Sequence, residues 1–398
     1  MKRAVLVITV PLLAKEGLGE VDYDPGLPRR GNERQKGHEM TQRKIMHALI
    51  AIVLFLPGLA FAQQNAEGTL AAINKLPPLE RQRSLTEGAK KEKELMVYTV
   101  LTLTDFDHLQ RAFNRKYPYI RVNRLRMGGG KLFDIALNEH RAGRHLVDVF
   151  TAGESSTYPL IKAGVGGRYL SPERQAFAPE YKDRDGYWIA YFAYRWVFGY
   201  NTGLVPPDRL PKTYFDLLDP YWKGKLALDT DPHSWMVGII KAYGKEKAVD
   251  YFKALARQGL RLHKGRTLRA QLMAAGEFPA SMEQEVSKMV QMKRQGAPLD
   301  YRYLENTPST LTPVALARFT SHPHAAALYI DFVLSEEGQK LLAELAYVPL
   351  RRGVRPKDAE LAERDAQAKL VPLNTESTFS WRDEVIELAD QIFTRGRR

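Results

Sequence analysis

The chain has 398 residues, carries a formal net charge of +13 and contains no cysteine. Without cysteine it has neither disulfides nor a thiol nucleophile, so its stability must come from the burial of apolar side chains. The basic excess is spread along the chain and forms no basic arm. This pattern argues against nucleic acid as a partner and indicates attraction to anionic solutes or surfaces.

An apolar segment near the amino terminus has the order of a secretory signal peptide. Residues 40–62 begin with basic residues, continue as an apolar run and end in Ala-Phe-Ala. This order predicts cleavage before position 63 and a soluble mature protein in the bacterial periplasm. Residues 1–39 are then an extension from a misassigned start, with Met40 as the true initiator. A start at Met1 with a retained amino-terminal membrane anchor remains the alternative.

Strands and helices alternate in the first half of the mature chain. Residues 63–93 predict leading helices with a break at Pro77 and Pro78. The strands that follow are predicted at 94–99, 119–125 and 147–150, and the helices at 106–116, 131–142 and 155–163. Alternation of this kind predicts parallel strands joined by right-handed crossovers, in a sheet covered by helices on both faces.

The second half begins with a long aromatic strand, YWIAYFAYRWVFGY, at residues 187–200. Further strands are predicted at 222–228, 299–304 and 312–319, and helices at 246–258, 267–275, 283–295, 325–334 and 337–345. The tail from Lys357 onward is charged and helical in pattern.

One segment resembles a known family. Residues 311–339, LTPVALARFTSHPHAAALYIDFVLSEEGQ, are similar to the carboxyl-terminal signature of bacterial extracellular solute-binding proteins of ABC importers, of the ferric-iron-binding type. In that signature a His-Pro-x-Ala-Ala turn starts a helix that leads into Phe-x-x-Ser-x-Glu-Gly-Gln, and here His322 and Phe332 open the two motifs. Collinear pieces of the same pattern occur at 97–99, 148–150, 199–202 and 215–225. We interpret the signature itself as part of the fold and not as a binding site.

The resemblance implies an α/β fold of the type II periplasmic binding protein class. Each of two lobes would hold a central sheet flanked by helices, and a two-strand hinge would join them around a solute cleft. Lobe one would comprise residues 94–190 and 306–398, and lobe two residues 191–305.

The resemblance also implies the function. We expect a monomeric protein that is not an enzyme, needs no cofactor, closes on a small-molecule solute and delivers it to ABC permease subunits in the inner membrane. A periplasmic receptor domain that senses the solute, or a secreted hydrolase, remains an alternative. The sequence has no Gly-x-Ser-x-Gly, His-Glu-x-x-His or P-loop motif.

Ligand contacts in this architecture are expected where strands end and helices begin. Three glycines after the second strand leave backbone N–H groups free to hold an anion. Arg266 and Arg269 of lobe two, near the start of one predicted helix, are expected to supply positive charge for an anionic solute. The predicted ligand-binding residues are Thr102, Gly128, Gly129, Gly130, Ser155 and Ser156 in lobe one and Tyr191, Tyr194, His233, Ser234, Arg266 and Glu283 in lobe two. Alternation along the aromatic strand predicts that Tyr194 faces away from Tyr191.

The iron ligands of the ferric-binding relatives are missing. Those proteins place two adjacent tyrosines shortly after a Gly-Glu-x-Pro-Ala run. Here residues 276–280 match that run, but the following SMEQEVSKMV contains no tyrosine. We therefore predict no metal site, and we expect an organic anion or an iron chelate as the solute.

Overall fold

The structure is a computed structural model that describes residues 66–373 and 381–394, without the side chain of residue 382. The predicted signal segment 40–62 and the extension 1–39 lie outside the described residues. The described chain falls within one compact unit, 61–398. It opens with helices α1 (Ala66–Ile73) and α2 (Pro78–Glu92), and Pro78 occupies the first turn of α2, where a missing N–H costs no hydrogen bond.

The first sheet forms from the predicted strand–helix alternation. Its strands β1 (Glu94–Thr99), β2 (Arg121–Arg126) and β3 (Val149–Thr151) are parallel, with β1 in the middle. The crossovers contain α3 (Leu103–Lys116), α4 (Gly129–Arg141) and α5 (Glu154–Lys162). The two-residue strand β4 (Gly166–Gly167) follows.

Two long antiparallel strands join this sheet to a second one. Strand β5 (Ile189–Asn201) pairs through its first half with β10 (Thr307–Ala317), which in turn pairs with β3. Through its second half β5 pairs with β8 (Ala280–Glu285) and β9 (Leu299–Arg302). Because β5 belongs to both sheets, it is one covalent connection between the two halves of the fold.

The second sheet continues from β8 to β6 (Leu226–Leu228) and β7 (Arg261–Leu262), which are parallel to each other. Its helices are α6 (His233–Tyr243), α7 (Lys245–Ala256), α8 (Arg266–Ala274) and α9 (Val286–Arg294). Short 3₁₀ turns occur at Pro172–Ala176, Pro179–Tyr181, Pro207–Arg209, Phe215–Leu218 and Pro220–Trp222.

The last part of the chain returns to β10 and then to the second sheet. Helices α10 (Pro323–Leu334) and α11 (Glu336–Glu344) precede β11 (Val348–Pro349), α12 (Ala359–Gln367) and β12 (Leu370–Pro372), and β12 pairs with β10. Helix α13 (Arg382–Ala389) ends in a π-helical turn, Asp390–Thr394, and contacts α6. The boundaries between the predicted lobes stay a prediction.

The structure corrects three local predictions. Residues 283–285 belong to strand β8 and not to the predicted helix 283–295, because every side chain of β8 is buried between two flanking strands. The strand predicted at 222–228 is confined to β6. Helix α3 begins at Leu103, three residues before the predicted start at 106, and is capped by Thr102, whose hydroxyl accepts the N–H of Asp105 at 3.2 Å.

The fold is mixed α/β, with sheets flanked by helices, as predicted. The family signature lies in β10, α10 and α11, and α10 is buried along most of its length, so this segment packs in the core. Within the described part of the chain, no helix has both the length and the apolar character needed to cross a membrane.

Candidate functional site

A cavity of about 190 Å³ lies where strands of both sheets end and the following helices begin. Its lining comes from both halves of the fold. The lining residues are Val100, Gly129, Gly130, Gly153, Glu154, Ser155, Ser156, Tyr194, Trp196, Asp231, His233, Ser234, Val237, Arg266, Thr310 and Ile386.

The wall from the first sheet consists of two helix amino termini that nearly touch. Helix α4 follows the cap Gly128 and helix α5 follows the cap Gly153, and neither cap supplies a side-chain acceptor. A Cβ added at Gly129 would lie 2.7 Å from Oγ of Ser156, so only glycine leaves this space open. The first N–H groups of both helices have no partner within their own helix and carry partial positive charge.

Ser156 is a polar residue of this wall. It is only 4% exposed as a residue and lines the cavity. Its hydroxyl lies 2.7 Å from the position that a Cβ at Gly129 would take. A hydroxyl both donates and accepts hydrogen bonds, so it is placed to bond a ligand oxygen beside the two helix starts. We name Gly129, Gly130, Ser155 and Ser156 the anion cradle.

The wall from the second sheet carries charged groups at the starts of α6 and α8. Nδ1 of His233 contacts Oδ1 of Asp231. Desolvation would raise the pKa of Asp231, but the hydrogen bond and charge of His233 outweigh it and lower that pKa. Nε of Arg266 lies 2.5 Å from Oε1 of Glu285. Burial opposes the charge of Arg266, but Glu285 more than compensates and raises its pKa, so the guanidinium stays cationic.

The hinge strands supply the floor between the two walls. Tyr194 and Trp196 alternate onto the cavity side of β5, and Nε1 of Trp196 donates to Oγ1 of Thr310 on β10 at 3.2 Å. The guanidinium of Arg266 lies 4.8 Å from the Trp196 ring centroid. This stacking fixes the direction in which Arg266 enters the cavity.

A buried ionic network lies behind the second wall. Arg269 is fully buried, with Nη1 2.5 Å from Oδ2 of Asp229 and Nη2 2.7 Å from Oε2 of Glu283. Asp229 also accepts the N–H groups of Asp231 and Gly265, both at 3.1 Å. The network therefore ties together the two loops that present α6 and α8 to the cavity.

The structure gathers most of the predicted ligand residues at one cavity. Those that line it are Gly129, Gly130, Ser155, Ser156, Tyr194, His233, Ser234 and Arg266. Their contact with a ligand stays a prediction.

Four predicted residues do not line the cavity. Thr102 caps α3, and Gly128 lies one residue before the cradle, as the cap of α4. Tyr191 is 1% exposed and faces the core, because alternation turns it away from Tyr194. Glu283 lies on β8, where burial raises its pKa to about 8 despite the opposing effect of Arg269.

Sequence reasoning missed several lining residues. Glu154 and Asp231 adjoin predicted residues at the same helix starts, and Trp196 follows Tyr194 with the period of a strand. These signals were available locally. Thr310 and Ile386 are distant in sequence, and nothing local marks them as cavity residues.

No group of three or more His, Cys, Asp or Glu side chains within residues 66–373 and 381–394 is arranged to hold a metal ion. Tyr194 is the tyrosine that lines the cavity, and burial raises its pKa well above the usual value, which disfavours a phenolate.

Comparison with known proteins identifies the family. A family model described as bacterial extracellular solute-binding protein matches residues 148–378, more than half of the chain. The chain belongs to this family. An Fe(3+)-binding periplasmic protein of Serratia marcescens is 22% identical over 174 residues, which is 41% of this chain and 51% of that protein. The alignment thus spans about half the length of that relative.

Solved structures show the same fold. Iron-bound HitA from Pseudomonas aeruginosa has a TM-score of 0.68 at 22% identity and covers 75% of this chain and 99% of its own. AfuA from Actinobacillus pleuropneumoniae, with fructose-6-phosphate bound, has a TM-score of 0.67 at 22% identity and covers 76% and 99%. The chain thus belongs to the bacterial extracellular solute-binding family and has the fold of periplasmic binding proteins of known structure, as predicted.

Proposed function

We propose that this protein is the periplasmic solute-binding component of an ABC importer and that it captures a small organic anion in the cavity between its two sheets. Family membership and fold support the binding role. The observation that carries the anionic solute is the cradle, where two helix amino termini without side-chain caps face one cavity beside the hydroxyl of Ser156.

The charges at the cavity limit the solute further. Arg266 is the one lysine or arginine side chain among the lining residues, and Glu285 already pairs with it. The carboxylates of Glu154 and Asp231 line the cavity as well. A solute with one anionic head group fits this balance, because further negative charges would meet these carboxylates. Hydroxyl or amine groups on the rest of the solute would find acceptors there.

The same balance bears on iron. A ferric chelate with several carboxylates carries more negative charge than Arg266 of the lining can neutralise. AfuA and HitA carry different ligands in related folds, so fold likeness does not select between sugar phosphate and iron. The chemistry of the lining residues therefore favours the organic anion over the chelate.

Binding is expected to close the fold around the solute. The two sheets share β5 and are bridged by β10, so bending of these strands would move one wall toward the other. The closed form would then present a surface for the permease subunits. We propose that the protein works as a monomer and reaches the periplasm through cleavage of the segment 40–62, which amino-terminal sequencing of the secreted protein tests.

A titration with the cradle altered tests the anionic solute. Orthophosphate, phosphonates, carboxylates, ferric citrate and polyamines are screened by thermal shift, and hits are measured by calorimetry. A bound solute at a hundredfold excess over Kd adds about 2.7 kcal/mol to the free energy of unfolding. Ser156→Ala should weaken an anionic hit about tenfold, since one buried hydrogen bond is worth roughly 1–2 kcal/mol.

Two glycine variants provide a matched pair. Gly129→Ala places a methyl against Oγ of Ser156 and should weaken the same hit at least tenfold. Gly128→Ala meets no atom within 4 Å and lies outside the cavity, so it should bind normally. If only cationic solutes bind, or if both glycine variants bind normally, the anion cradle is wrong.

A further inference from the structure

The carboxyl-terminal helix α13 reaches the binding cavity. Ile386 of α13 lines it beside Val237 of α6, more than a hundred residues away in sequence. The family model ends its match at residue 378, before α13 begins. This part of the wall therefore comes from outside the segment that the family model matches.

Helix α13 is anchored by an apolar stripe with helical spacing. Val385, Ala389 and Phe393 are each 5% exposed or less. The Phe393 ring lies 6.2 Å from that of Phe252 on α7, between ring centroids. Side chains four residues apart share one face of a helix, so this stripe holds α13 on the helices of the second sheet.

The anchoring of α13 determines where the Ile386 side chain lies. It follows Val385 by one position, which turns it about 100° away from the anchored stripe, and it reaches the cavity half-buried. Glu384 adds an ion pair with Lys245 at the start of α7. The helix is thus held at several points, and Ile386 projects from a fixed support.

Ile386 belongs to an apolar part of the lining. Val100 and Val237 share this character, whereas the cradle and the starts of α6 and α8 are polar. At about 190 Å³ the cavity is smaller than the ~300–1,000 Å³ typical of small-molecule sites. Removal of the Ile386 side chain would enlarge it at an apolar position of the lining.

We propose that α13 is a specificity-determining wall and that Ile386 sets the largest solute the cavity accepts. This inference rests on the proposed binding function. The solute would place its anionic group at the cradle and its carbon-bound end against Ile386, so a longer body would collide with this side chain.

The test compares small and larger solutes of the same charge class. Calorimetric Kd values are measured with pairs of homologues: glycerol 3-phosphate and glucose 6-phosphate, lactate and gluconate, putrescine and spermine. Ile386→Ala should shift the affinity ratio toward the larger member by at least tenfold, and Ile386→Val by less. Ile386→Phe should shift it the other way.

Leu388→Ala is the matched control, because Leu388 lies on the same helix but does not line the cavity. In Leu388→Ala the ratio of the affinities for the larger and the smaller solute should equal that of the unaltered protein. The proposal is overturned if Ile386→Ala and Ile386→Val keep the original ratio, or if Leu388→Ala shifts it as much. If only the amine pair binds, the anionic solute is wrong, yet the ratio for that pair still decides the role of Ile386.

Discussion

Two arginines three residues apart have different places at the site. Arg266 lines the cavity, whereas Arg269 is fully buried behind it. Their common type and spacing suggested a shared role in holding an anion. The structure separates them, because α8 begins at Arg266 and its first turn carries Arg269 inward to Asp229 and Glu283.

The alanine variants of these two arginines should therefore lose different properties, solute affinity for Arg266 and stability for Arg269. Arg266→Ala should weaken an anionic solute more than tenfold, because it removes the cation of the lining and leaves Glu285 unpaired. Arg269→Ala should lower the free energy of unfolding by about 3–5 kcal/mol, as expected when a buried ion pair loses one partner. Calorimetry and urea unfolding measure the two effects. Unchanged solute affinity in Arg266→Ala, or unchanged stability in Arg269→Ala, would contradict the assignment.

Glu283 should make stability depend on pH. Burial raises its folded-state pKa to about 8, from a usual value of 4.5. Because the folded protein holds this proton more tightly than the unfolded chain, the stabilisation is fully present below about pH 4.5 and is lost as pH rises toward 8. Urea unfolding from pH 5 to 8 should show that the free energy of unfolding of the unaltered protein declines with pH, and that it declines less in Glu283→Gln. A difference in free energy of unfolding between the two proteins that stays constant with pH would contradict this.

At the scale of elements, the starts of the helices contribute to stability and also form part of the candidate site. Where a cap side chain is present, it satisfies the helix internally, as Thr102 does for α3 and Ser335 for α11. Where the cap is glycine, as for α4 and α5, the N–H groups remain available to a ligand. In these four helices, a side-chain cap accompanies a helix start outside the cavity, and a glycine cap accompanies a helix start that lines it.

Ser335 is the cleanest test of a structural cap. It lies between α10 and α11, and its hydroxyl accepts the N–H of Gly338 at 3.2 Å. Ser335→Ala should lower the free energy of unfolding by about 1 kcal/mol, and Ser335→Asp should restore most of it, since aspartate caps as well as serine. Solute affinity should not change in either variant. Loss of affinity without loss of stability would contradict a purely structural role.

At the scale of the whole molecule, β5 and β10 determine how the halves can move. Arg195 lies near the point where β5 passes from one sheet to the other, and it bonds Ser309 of β10 and Asp365 of α12. These contacts hold β5, β10 and α12 together at the crossing, where we expect the hinge to lie.

Closure should be visible in solution. The radius of gyration from small-angle scattering should fall when a saturating solute is added, because the walls approach around the cavity. Ser156→Ala at the same solute concentration, chosen near the original Kd, should show a smaller decrease. A radius that stays constant on saturation would contradict hinge closure.

The sequence alone determined the order of strands and helices and half of the cavity residues. Buried strands, glycines and serines at helix starts are local signals, and parallel βα units bring their strand ends to one edge. This logic predicted Gly129, Ser156 and His233, which line one cavity; their contact with a solute stays a prediction.

Only the tertiary structure decided the rest. SMEQE became strand β8 because two neighbouring strands bury it, which no local propensity reports. Arg269 lies behind the cavity because buried carboxylates hold it there. Thr310 and Ile386 line the cavity because segments distant in sequence pack there. Burial and packing are properties of neighbours in space, and a sequence displays only neighbours along the chain.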